Sequence, residues 1–125
     1  MTRLLLVDDN ASVRLALSAL LEEEGYVVET AASFADAARR LAAGLPGFGM
    51  ALLDMHLGDG LGTDLIPLFR ARSSRTKLVL LSGSDGELCP ASGADLCLGK
   101  GGDIGELLDS LRSLDPSLVA SEGEV

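Results

Sequence analysis

The chain has 125 residues, 47% of them hydrophobic, and a formal net charge of −9. That is the length of one domain, able to bury roughly two-thirds of its unfolded surface without a metal or disulfide, and its apolar content excludes a disordered chain. The acidic balance opposes direct contact with nucleic acid or an anionic membrane surface, because both require a basic patch.

Leu4 to Val7 is a short all-apolar run, followed at once by Asp8 and Asp9. It is too short for a signal peptide or a membrane span, so a cytoplasmic location is expected. Val13, Ala16, Leu17, Leu20 and Leu21 then recur at helical spacing, with Gly25 as a stop. Tyr26 to Ala31 is a weaker strand candidate. Ser33 with Asp36 resembles a capping box that opens a helix running to Gly44. Met50 to Leu53 and Leu78 to Leu81 repeat the apolar-run pattern of strands covered on both faces. Leu65, Ile66 and Phe69 mark a helix between them. Asp95 to Leu98 is a short fifth strand. Asp103 with Glu106 opens a last helix, striped by Ile104, Leu107, Leu108, Leu111 and Leu114.

This alternation predicts an α/β fold: a doubly wound, five-stranded parallel sheet with right-handed crossovers. Residues 1–115 form its one domain, and 116–125 form a flexible polar tail. The only aromatic residues are Tyr26, Phe34, Phe48 and Phe69, so the core must be aliphatic. Cys89 and Cys97 match no metal-ligand spacing and read as buried thiols in a reducing compartment.

Ligands of such folds bind beyond the carboxyl ends of the strands. Asp8 and Asp9 follow the first strand, Asp54 ends the third, Ser82 ends the fourth and Lys100 follows the fifth. All five therefore fall on one edge. Any one aspartate is most often a cap or a solvated loop residue; their convergence is the informative feature. Carboxylates held within several Å repel by a few kcal/mol per pair at an effective dielectric of about 20. A hard divalent cation with oxygen ligands offsets this, and Mg²⁺ suits such a set. The ammonium of Lys100 offsets more. A carboxylate in that setting is a nucleophile for phosphoryl transfer, giving an aspartyl phosphate, with the Ser82 hydroxyl able to bond a phosphoryl oxygen.

The segments LLLVDD (4–9), LLDMHL (52–57), LLSG (80–83) and GAD (93–95), with Lys100, resemble the receiver domains of two-component response regulators over roughly Arg3 to Leu114. The resemblance implies a CheY-like, flavodoxin-like sheet with five helices. It implies Asp54 as phosphoacceptor, with Asp8 and Asp9 as the acidic pair that helps Asp54 hold Mg²⁺. Asp9 is the favoured direct ligand, and the backbone carbonyl of His56 is a further one. It also implies Ser82 as the switch hydroxyl and Lys100 as the lysine that pairs with the phosphoryl group. The side chain of His56 carries no chemistry on this reading. A sensor histidine kinase or a phosphotransfer protein is the implied donor.

Three departures stand out. Cys97 occupies the position where the family usually has an aromatic residue that swings inward. Lys100 is followed by Gly101 and Gly102 rather than by a cis-proline; a cis bond before a non-proline residue costs about 2.5–4 kcal/mol, so a trans bond is expected. Gly58 likewise stands where proline is common. Finally, Gly83, Gly86 and Pro90 oppose a helix between Ser82 and Gly93, so the fourth helix is expected to be one turn or missing. A symmetric dimer through that face is disfavoured.

The leading functional expectation is a signalling module, not a metabolic enzyme, that is phosphorylated on Asp54 and acts through a protein partner. Intrinsic dephosphorylation is part of that expectation. The receiver fills the chain, leaving no room for a DNA-binding output domain. The alternative is a phosphorylation-independent docking module on the same fold. A small phosphatase or flavin binder is a third reading, weakened because the chain contains no GxxxxGK[ST] or GxGxxG loop.

Overall fold

Strands and helices alternate as the apolar pattern requires. The computed structural model describes residues 2–43, 47–73, 75–82, 93–99 and 103–114. Five strands run parallel: β1 (Arg3–Val7), β2 (Val27–Ala31), β3 (Met50–Asp54), β4 (Lys77–Ser82) and β5 (Leu96–Gly99). Their order across the sheet is β2-β1-β3-β4-β5. Among the described residues the helices are α1 (Ala11–Glu23), α2 (Phe34–Ala42), α3 (Ile66–Arg72) and α4 (Ile104–Leu114). The segment expected to hold a shortened or missing fourth helix, 83–92, lies outside the described residues, as does the tail at 116–125.

Side chains of a strand alternate between its faces, so a strand buried on both sides must be apolar throughout. β1 and β3 meet that demand. Leu5, Val7, Ala51 and Leu53 pack on one face with Ala37 and Leu41 of α2 and with Ile66 and Phe69 of α3. Leu4, Leu6, Met50 and Leu52 pack on the other with Leu21 of α1 and Leu111 of α4. The core is aliphatic, with Phe69 and Tyr26 as its buried aromatic residues. A Leu→Ala change at Leu6 or Leu52 belongs to the class that costs about 2–5 kcal/mol.

The helix ends follow from local chemistry. The Asn10 side chain caps α1 by accepting from Val13 N at 3.1 Å. Gly25 ends it at φ +98°, with its N–H donated to Glu22 O, a conformation that disfavours any residue with a Cβ. Val13, Leu17 and Leu20 are half-buried and Leu21 is fully buried, while Ala16 of the expected stripe is exposed. Ser33 Oγ caps α2 by accepting from Asp36 N at 3.0 Å; Asp36 answers by accepting from Ala32 N. Asp103 caps α4 through Gly105 N at 3.1 Å. Among the described residues no helix is long and apolar enough to cross a membrane.

Cys97 corrects one expectation. It is bonded in a disulfide rather than free. It lies in β5, half-buried, against the α2–α3 side of the core. Sequence spacing alone gave no sign of this, because a disulfide depends on spatial approach and not on a ligand-type spacing. The chain's other cysteine, Cys89, lies outside the described residues.

Candidate functional site

Parallel registry brings the chosen residues together. Val7 pairs with Leu53, and Asp54 pairs with Leu81, so β1, β3 and β4 end side by side. Asp8 and Asp9 leave β1, while Asp54 and Ser82 are the last residues of β3 and β4. One carboxylate oxygen from each of Asp8, Asp9 and Asp54 lies within 4.8 Å of the others. Asp8 and Asp54 are buried, at 0% and 5% exposure, as is Ser82 at 4%; Asp9 is exposed. Lys100, with Gly101 and Gly102, lies outside the described residues.

The two buried carboxylates are anchored by backbone groups. Asp8 N donates to Ala31 O at 3.1 Å, and Asp8 Oδ1 accepts from Asn10 N at 2.9 Å. Asp54 Oδ1 accepts from His56 N at 3.3 Å. His56 itself is exposed. Met55 N donates to Leu81 O at 2.9 Å, which fixes the chain just after Asp54 to the end of β4.

Beyond Met55 the chain forms a small antiparallel hairpin, His56–Leu57 against Gly60–Leu61. Gly58 at its turn faces the cluster: a Cβ there would sit 4.0 Å from Asp9 Oδ2. Asp59 at the same turn accepts from Phe34 N at 2.8 Å and Ala35 N at 3.0 Å, so it caps α2 from outside the helix. These two N–H groups, Ala35 first, hold the Asp59 carboxyl below its ordinary range. The hairpin closes through Gly62 N, which donates to Met55 O at 2.8 Å.

Three supporting residues escape the sequence reading. Arg14 Nη1 donates to Asp8 O at 2.7 Å and holds the chain as it leaves β1; its place in the first turns of α1 was the only available hint. Gly62 packs so closely that a Cβ would overlap the Asp54 carbonyl oxygen and sit 3.0 Å from its carbon. Nothing local marks this, and nothing local marks Asp59 as the cap of a helix that starts 25 residues earlier.

The donor set is all oxygen, two buried carboxylates and one exposed, at the end of a parallel sheet. That chemistry fits a hard divalent cation and is unsuited to zinc, which prefers nitrogen and sulfur ligands.

Comparison with known proteins agrees. Residues 4–112 match the family model described as response regulator receiver domain. The photosynthetic apparatus regulatory protein RegA of Cereibacter sphaeroides is 33% identical over 120 residues, covering 92% of this chain and 64% of RegA. The acid tolerance regulatory protein ActR of Sinorhizobium medicae is 35% identical over 80 residues, covering 64% of this chain and 40% of ActR. The chain thus spans less than two-thirds of the length of these relatives. Among solved structures, the response regulator TrrA of Thermotoga maritima, in complex with Mg²⁺-BeF, superposes with a TM-score of 0.81 at 26% identity, covering 91% of this chain and 99% of that one. A CheY-like receiver domain from Methanospirillum hungatei gives the same TM-score and identity over 100% and 99% of the two chains. Sheet order, carboxylate cluster and matched residues agree: the chain belongs to the response regulator receiver domain family.

Proposed function

We propose that Asp54 accepts a phosphoryl group from a phosphohistidine of a sensor histidine kinase or phosphotransfer protein, and that the phosphorylated form signals by binding a protein partner. The observation that carries this is the convergence of Asp8, Asp9 and Asp54 within 4.8 Å at the carboxyl edge of the sheet. Asp8, Asp9, Asp54 and the backbone carbonyl of His56 are the residues that would hold Mg²⁺. When bound, Mg²⁺ supplies positive charge against the phosphoryl oxygens. A relative of known structure supports the donor: TrrA, 26% identical with a TM-score of 0.80, has been solved in complex with the histidine kinase ThkA.

The chain's own residues do the rest. A carboxylate oxygen of Asp54 attacks phosphorus; the bond from phosphorus to the donor imidazole breaks, and the imidazole takes up a proton. The hydrogen bond from His56 N holds Asp54 Oδ1 in place. Ser82, buried beside Asp54 at the end of β4, is the hydroxyl that turns toward the product, and Lys100 is the cation that pairs with it. Water attack on the acyl phosphate returns Asp54 and inorganic phosphate, an intrinsic self-dephosphorylation rather than a metabolic activity. We read 1–115 as the receiver unit, 116–125 as its tail, and the cytoplasm as its place of action. A reducing compartment shifts the Cys97 disulfide toward thiols.

The test is mass spectrometry after incubation with Mg²⁺ and a small acyl phosphate. One phosphoryl increment is expected on the wild type and none on Asp54→Asn. An unmodified wild type, under conditions that modify TrrA, would remove the phosphoacceptor reading and leave a docking module.

A further inference from the structure

A cavity of about 520 Å³ opens at the opposite, amino edge of the sheet, between α2 and α3. Its charge differs from that of the molecule around it. Arg3, Arg39, Arg40 and Arg72 line it, four of the chain's ten basic residues, against Glu29 and Asp36, two of its nineteen acidic ones. A chain of net charge −9 thus concentrates a local excess of two positive charges in one concave site.

The arginines are not equally committed. Arg3 is ion-paired with Glu29 and lies 4.8 Å from the centroid of the Phe48 ring. Arg40 bridges Glu29 at 3.5 Å and Asp36 at 3.7 Å. Arg39 pairs with Asp36 at 2.6 Å while remaining 77% exposed. Arg72 has no ion pair among the described residues; it donates to Ala42 O at 3.4 Å, the end carbonyl of α2. The remaining wall combines apolar residues, among them Leu41 and Phe48, with Ser73 and Thr76.

We propose that this cavity binds an organic phosphate of nucleoside-monophosphate size. The volume lies within the range of small-molecule sites, which combine an apolar wall with a few charged groups. The excess of two positive charges matches a phosphate monoester dianion better than a single carboxylate. Guanidinium groups suit phosphate because they bind its oxygens in pairs. Arg72 and the exposed Arg39 take the phosphate; Leu41 and Phe48 take the body. The site is remote from Asp54 and independent of the phosphoacceptor reading.

The test is isothermal titration of AMP, adenosine and inorganic phosphate into the metal-stripped full chain. The proteins are the wild type, Asp54→Asn, and a double variant carrying Arg39→Ala and Arg72→Ala. Both arginines lie at the surface end of their helices, and circular dichroism checks that the double variant is folded. AMP should bind the wild type and Asp54→Asn alike, more tightly than adenosine or phosphate, and at least tenfold more weakly to the double variant. An absence of saturable AMP binding overturns the proposal. So does AMP affinity unchanged in the double variant or lost in Asp54→Asn, or inorganic phosphate binding as tightly as AMP.

Discussion

At the scale of single residues, Gly62 shows how little room the loop after Asp54 has. Its missing Cβ is what allows the chain to pass against the Asp54 carbonyl, and backbone rather than a movable side chain is the obstacle. Gly62→Ala must therefore displace the strand end or the hairpin. The expected cost is about 1–3 kcal/mol, the range for overpacking a tight site. Denaturant unfolding measures it, and phosphorylation should slow in the same variant because Asp54 moves with its carbonyl. Gly58→Ala is the control: its Cβ meets nothing nearer than Asp9 Oδ2 at 4.0 Å. Equal stability of Gly62→Ala and the wild type would mean that the loop has slack this packing does not reveal.

At the scale of elements, the hairpin after Asp54 and α2 behave as one piece because Asp59 spans them. Asp59 accepts two N–H groups of the first turn of α2, and Asp36 is held below its ordinary carboxyl range first by Arg39. Both carboxyls are depressed, so both bind protons less readily folded than unfolded. Their contribution is complete above the unfolded carboxyl value near 4 and is lost as pH falls through the lower folded values. Asp59→Asn should therefore be less stable than the wild type at neutral pH, and the gap should narrow in acid. Thermal unfolding at a series of pH values reads this directly; a pH-independent gap would assign the effect to something other than charge.

The Cys97 disulfide acts on the same scale, as a cross-link anchored in β5. A disulfide typically contributes about 2–4 kcal/mol by constraining the unfolded chain. Reductant should lower wild-type stability by that order and leave Cys97→Ser unchanged.

These elements also mark what the sequence could and could not tell. The strands were legible because two-sided burial demands unbroken apolar runs, and Leu4–Val7 and Leu78–Leu81 have no other cheap use. Asp8, Asp9, Asp54 and Ser82 were legible because a parallel sheet places every strand's end on one edge. Asp59, Gly62 and the Cys97 bond were not, since each depends on a spatial approach that no local pattern of residues marks. The cavity arginines were hidden for the same reason: Arg3, Arg40 and Arg72 are far apart in the chain.

At the scale of the whole molecule, the fold concentrates acid where its strands end. A charge pair at 4.8 Å costs about 1 kcal/mol at the dielectric of water and about 3 kcal/mol at an effective value of about 20. Asp8 and Asp54 are buried and Asp9 is exposed, so the Asp9 pairs lie toward the lower figure. The packed sheet on both faces offsets this repulsion in the metal-free protein. A cation that binds only the folded cluster stabilises it by mass action, about 2.7 kcal/mol at a hundred times its dissociation constant. Two opposite effects should therefore appear in one variant. Asp9→Asn removes a repelling charge, so without metal it should unfold at a temperature equal to or above the wild type. It also removes a proposed ligand, so adding Mg²⁺ should raise the wild-type midpoint and leave the variant nearly unmoved. If Mg²⁺ raised both midpoints equally, the cation would be acting elsewhere on this acidic chain. If Asp9→Asn were clearly less stable without metal, its carboxylate would have a structural partner that outweighs the repulsion.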